Sequence, residues 1–174
     1  MASILSQFIV GVNISWTYQA AVTGFGSANY QNPAPNQYSQ TLTNGTGIAG
    51  TANQLYVAQA SITASGNTSL DFASGLNDPF GAALAMARVK YIFINNNNAT
   101  AASSITVGNA THPLPLFSAG STTVTINNNG FFAMGDPGAT GIAVGSGATD
   151  TLKIVNADSG NVATVNTIAV GSTA

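Results

Sequence analysis

The sequence predicts an all-β chain, a single jelly-roll or β-sandwich domain with one short helix and a long N-terminal loop or arm. Three observations carry that expectation. Apolar residues alternate with polar ones at period two, which places successive side chains on opposite faces of a strand. Gly and Asn clusters punctuate the C-terminal half at short, regular intervals, as in sandwiches and barrels. Helix-period patterning is almost missing. With 174 residues there is material for one domain with a sizeable core, and hardly for two.

The strongest strand signal comes first. Phe8, Val10, Val12, Ile14, Trp16 and Tyr18 fall on one side, with Gln7, Gly11, Asn13, Ser15 and Thr17 on the other. Such a run needs a core under one face, and Trp16 among Val and Ile is expected to be part of that core. Residues 24–54 then turn to Gly, Asn, Gln and Pro, and only 39–43 offer a short strand. A stretch this long without structure is unusual inside a compact domain. Its low charge argues against an ordinary disordered tail. It is expected to be an extended arm lying on a neighbouring surface.

Residues 55–64 and 68–72 read as a hairpin around Ser65-Gly66-Asn67. Asp78 as cap, Pro79 at the first helical position and the run FGAALAMA then predict one short helix. Residues 89–94, VKYIFI, are β-rich and apolar on both faces, as a central strand should be. Asn95 to Asn98 are expected to form a turn. Further short strands are predicted at 104–107, 122–126, 130–134, 142–144, 151–155 and 162–170. No fixed-period repeat is present.

Composition narrows the function. Only 5% of residues are charged, the net charge is −2, and Glu and Cys are missing altogether. The eight charges are Asp71, Asp78, Arg88, Lys90, Asp136, Asp150, Lys153 and Asp158. Soluble domains are typically about a quarter charged, so a surface this neutral suits a protein largely covered by neighbours. Three scattered cations do not grip a phosphate backbone, and no nucleic-acid partner is expected. No apolar run approaches the roughly 18 residues of a membrane span. The first residues lack a signal peptide's basic start and unbroken apolar stretch. Synthesis in the cytoplasm is therefore expected.

The search for chemistry finds little. His112, the sole His, has no second imidazole or thiolate to share a metal, and nothing selects a nucleophile or orienting acid for it. No two Asp lie within six residues of each other, against the clustered oxygen ligands of calcium sites. GFGSAN and GSGATD lack the Lys of a phosphate loop and read as turns. The chain is expected to be no enzyme, with no catalytic, cofactor-binding or metal-binding residue assigned and no cofactor.

From Asp71 onward a resemblance emerges. DFASGLNDPFGAALAMARVKYIFINN, ITVGNATHPLPLF, NNNGFFAMGDPGATGIAV and SGATDTLKIVNADSGNVATVNTIAVGSTA together resemble small virion proteins of tailed bacteriophages, over residues 71–174. That resemblance implies a capsid decoration (cement) or head-fibre protein on a jelly roll. Implied with it are self-association, often as a homotrimer, a major capsid protein as partner, and a place on the virion's capsid surface. Two other readings remain open: a tail or fibre component, and a carbohydrate-binding or adhesin sandwich with Tyr30 and Tyr38 stacking on sugars.

Overall fold

The computed structural model describes residues 5–14, 17–22, 26–31, 36–98, 103–117 and 120–174, with backbone alone at 13–14, 17–22, 26–31 and 36–37. Among them every regular element is a strand. The N-terminal part holds β1 (Gln7–Ile14), β2 (Thr17–Val22), β3 (Gly26–Gln31), β4 (Asn36–Asn44) and β5 (Thr51–Ala52). The body follows with β6 (Gln54–Ile62), β7 (Asn67–Asp71), β8 (Leu76–Asn77), β9 (Ala83–Leu84), β10 (Arg88–Asn96), β11 (Ile105–Gly108) and β12 (Thr123–Ile126). It closes with β13 (Phe131–Gly135), β14 (Ile142–Ala143), β15 (Thr151–Asn156) and β16 (Ala163–Ser172).

Two antiparallel sheets enclose one core. The larger runs β13-β10-β16-β6, with β14 beside β10, and the smaller runs β12-β11-β15-β7. Alternation decides which side chains meet. Ile92 and Ile94 of β10 and Val165 and Ala169 of β16 point inward to Ile105, Val107, Leu152 and Ile154 of the facing sheet. Phe72, wholly buried, closes the gap between the sheets with Leu76, Leu84 and Met86. Burying a side chain of that size contributes roughly 1.5–3 kcal/mol.

Numbered along the chain, the eight longer body strands stand in the order first, eighth, third, sixth in one sheet. In the other they stand second, seventh, fourth, fifth. The last of them, β16, thus lies between β6 and β10, pairing with both.

Buried amides tie the ends of the sandwich. Asn96 donates to the carbonyls of Ser103 and Ile126, both at 3.1 Å. Asn156 donates to those of Ile62, Thr63 and Asn161. A bulge in β10 between Val89 and Tyr91 resets its alternation. Val89 and Ile92 consequently both face the core, while Tyr91 turns to the opposite side with Val170.

Several expectations need correction. Residues 26–31 and 36–44 are strands within the expected arm: β3 pairs with β2, and β4 pairs with β1 over eight residues. Their Asn, Gln and Thr side chains hid a ladder that rests on backbone hydrogen bonds. No helix forms at 78–87. Asp78 instead accepts from the N–H groups of Phe80 and Ala82, closing a tight turn between β8 and β9. β6 and β7 are consecutive but do not pair; each joins a different sheet. The Ser65 turn, with φ of 55°, crosses between sheets rather than making a hairpin. Asn95 and Asn96 belong to β10, not to a turn. Trp16 lies outside the described residues.

Candidate functional site

The outer face of the large sheet carries the most distinctive surface. Strand β1 and its partner β4 form a ribbon laid against it. Their antiparallel register puts Phe8 with Leu42, Val10 with Gln40, and Val12 with Tyr38 on one face. The first pair is anchored: Leu42 is buried with Ala52, Tyr91 and Val170, and Phe8, Val10 and Leu55 pack around them. By the third pair the cover has gone. Val12 is 48% exposed and Tyr38 46%.

Beneath the uncovered end lies a groove of about 680 Å³. Its floor is Tyr91 and Phe93 of β10, Ile168 of β16 and Ala133 of β13, and its rim is Ile9, Val12 and Phe131. None of its lining side chains is charged. Phe131, 65% exposed, stacks on Phe93 with ring centres 5.7 Å apart.

One polar knot holds the ribbon down. The phenol oxygens of Tyr38 and Tyr91 are 2.7 Å apart, and both lie within reach of Gln40 Oε1, at 2.7 and 3.1 Å, so two phenol protons serve three contacts. Burial, with the Tyr38 hydrogen bond adding to it, pushes the Tyr91 phenol far above its ordinary range. Tyr91 remains a neutral donor. Its ring lies directly over Gly135, where an added Cβ would sit 2.2 Å from a ring carbon. Glycine is what lets the ring lie flat there.

Most of the charged groups are spent on loops. Asp71 accepts from Ala73 and Ser74 N–H, Asp136 from Gly138 N–H, and Asp158 from Gly160 and Asn161 N–H. Those bonds to Gly160, to the Asn161 side chain and to the Ser103 hydroxyl hold the Asp158 carboxyl down to about 2. Gly147 N–H, first, then the Thr151 hydroxyl and the charge of His112, hold Asp150 below the usual carboxylate range. Arg88 donates to Thr140 O at 2.8 Å, and the buried Lys90 ammonium donates to the carbonyls of Gly138 and Ala139. Burial, together with Arg88, pulls Lys90 below its ordinary value, with Asp136 partly opposing. Among the described residues no three His, Cys, Asp or Glu gather as a metal site. Nor, among the described residues, is any helix long and apolar enough to cross a membrane.

His112 lies in a small polar cleft with Asn67, Ser69, Thr151 and Lys153. Its carbonyl accepts from Asp150 and Thr151 N–H at 3.2 and 2.8 Å, fixing the connector to β15. Tyr38 belongs to the ribbon knot, and the Tyr30 side chain is outside the described residues. Sequence reasoning missed Phe93, Phe131 and Ala133 as a surface. Their signal was present: a central strand apolar on both faces needs cover on both.

No protein-family model, curated protein or solved structure matches the chain.

Proposed function

We propose that this chain is a non-enzymatic structural subunit of an assembled particle, a decoration protein that self-associates as a homotrimer and cements the outer surface of a phage head. The body is read as a jelly roll. Supporting this is the strand order first-eighth-third-sixth against second-seventh-fourth-fifth, the arrangement two Greek keys produce in capsid and lectin domains. Fold alone does not assign function.

The observation that carries the reading is the ribbon whose apolar face outruns its own body. Val12 and Tyr38 continue the face that Phe8 and Leu42 bury, yet the described chain leaves each about half exposed. A surface of that kind is completed by another surface. With few ions to desolvate, close packing against a shell costs little. A subunit that binds the shell and not its dissociated parts stabilises the shell by mass action. The partner proposed is a major capsid protein.

The test uses purified particles. Stripping them of this chain should lower the temperature at which the genome is released, and adding the chain back should restore it. Equal robustness with and without it overturns the cement role. Copy number separates head from tail: many copies per particle are expected, against a few for a tail ring or fibre. A sugar-binding reading draws on the exposed Tyr38 ring, but Gln40, its nearest polar group, is already taken by two phenols. Specific signal on a glycan array would favour it.

A further inference from the structure

The sandwich has a second outer face, and its chemistry is the opposite of the ribbon's. On the small sheet, Leu152 and Ile154 of β15 and Leu70 of β7 point into the core. Alternation therefore turns Thr151, Lys153 and Ser69 outward, with Ser69 directly across from Lys153. Strand β11 stops beside them at Gly108, and Asn109, at φ of 55°, turns the chain off the sheet. The connector comes back to pair Pro113 with Thr151, and Leu114 and Leu116 anchor it in the core. Residues 109–112 are left standing as a wall beside the sheet. Wall and sheet enclose a cleft of about 350 Å³, near the lower end of the range for small-molecule sites.

The lining is polar apart from Ala110, and no carboxylate belongs to it. The acids nearby in sequence are committed elsewhere. Asp71, on β7, accepts from the Ser74 hydroxyl at 2.8 Å, and Asp150, just ahead of β15, accepts from Gly147 N–H and the Thr151 hydroxyl. Arg88 and Lys90 are held by backbone carbonyls of residues 138–140. Lys153 is the one cation that has no hydrogen bond or ion pair among the described residues. Half-buried in the floor, it gives the cleft a positive charge.

The groups around it suit hydroxyls. Ser69 and the amides of Asn67 and Asn109 both donate and accept. Thr151 gives its proton to Asp150 at 2.9 Å, so it offers the cleft an acceptor. A single cation among such groups matches an acid that also carries hydroxyls. Phosphate has charge to spare and few protons to donate, and would leave most of those groups unmatched.

We infer that this cleft binds a saccharide unit bearing a carboxylate, a uronic acid for example, with Lys153 on the carboxylate and Asn67, Ser69 and Thr151 on the hydroxyls. The cleft is separate from the Tyr38 ring and lies on the far side of the sandwich from the ribbon. It therefore stays open when the ribbon face is covered. The inference goes beyond the shell reading, and either can fail without the other.

Titration of the full chain with glucuronate, followed by amide chemical shifts, tests it. A ligand of this size held by a few polar contacts is expected to bind with a Kd in the millimolar range, with shifts confined to residues 67–69, 109–112 and 151–153. Lys153→Met keeps the apolar stem and loses the charge; Ser69→Val fills the floor and keeps the charge. Each should weaken binding by about tenfold or more, the effect of losing a charge-assisted hydrogen bond or a fitted site, at the wild-type melting temperature. Glucose, without the carboxylate, should bind as weakly to the wild type as glucuronate does to Lys153→Met. Absence of saturable shifts, or equal binding by Lys153→Met, overturns the inference. Inorganic phosphate binding as tightly as glucuronate overturns the saccharide assignment. Glycan-array signal that disappears in Lys153→Met belongs to this cleft; signal that persists there overturns the role of Lys153.

Discussion

The body and the ribbon are built from the same alternating pattern, and they end differently. In the body, each inward-facing row meets another sheet, and Val89, Ile94, Ile105 and Ile154 are left with 1% exposure or less. In the ribbon, the row Phe8, Val10, Val12 begins on a covered sheet and ends half in solvent. Period-two alternation states that one face wants cover. It does not state whether the cover comes from the same chain.

The largest effect is expected in the body. Phe72→Ala should destabilise the fold by about 3–5 kcal/mol, the usual cost of emptying a buried phenylalanine site. Chemical denaturation reads this directly, and a loss under about 1 kcal/mol would mean that the two sheets are not closed over Phe72 as described.

Where ribbon and body meet, the effect should be intermediate. Gly135→Val forces the Tyr91 ring off its seat and should cost about 1–3 kcal/mol through overpacking. Tyr fluorescence or the denaturation midpoint would register the displaced ring. An unchanged midpoint would show that the ribbon contributes nothing to the stability of the body.

A loop at the sandwich end separates the two regions by pH. Asp158 titrates near 2 in the folded chain and near 3.8 when unperturbed. Its contribution is complete above about pH 4 and disappears as pH falls through 2, because the unfolded chain takes up the proton first. Melting temperature should therefore decline across that window, and Asp158→Asn should make the decline shallower. An unchanged acid limb in that variant would remove Asp158 from the account.

The smallest effect on stability is expected at the ribbon's free end. Val12→Ser should change unfolding free energy by no more than about 0.5 kcal/mol, as exposed positions do, while weakening attachment to particles. A melting temperature lowered as far as in Phe72→Ala would place Val12 in a core that the isolated chain completes.

Much of the body was legible beforehand. The six predicted C-terminal strands all appear, because each combines β-branched or aromatic residues with Gly or Asn breaks that end it: Asn129, for one, takes a φ of 57° at the turn before β13. The central placement of β10 followed from its two apolar faces. What could not be read was pairing. β3 and β4 are strands of Asn, Gln, Ser and Thr, and their ladder uses backbone groups that every residue possesses. The DPFGAALA segment has helix-permissive side chains, yet the Asp78 carboxylate offers its backbone a competing set of hydrogen bonds, and the turn prevails. The apolar groove was half legible. Phe8, Val10 and Val12 announced one wall, whereas Phe131 and Ala133 join it only once β13 is placed beside β10.

The insertion of β16 between β6 and β10 also sets when the body can form. β6 pairs with β16 from Gln54↔Gly171 to Ile62↔Ala163, a partner some hundred residues further along the chain. During synthesis the large sheet therefore stays split, with β6 and β10 each presenting an unsatisfied edge, until residues 163–172 have emerged. Closure across so long a separation is slow relative to local pairing, in the millisecond-to-second range of β-sandwiches. Substitutions in β16 should then act on the rate of folding as well as on the finished fold, and the growing chain should be most open to aggregation just before β16 is made.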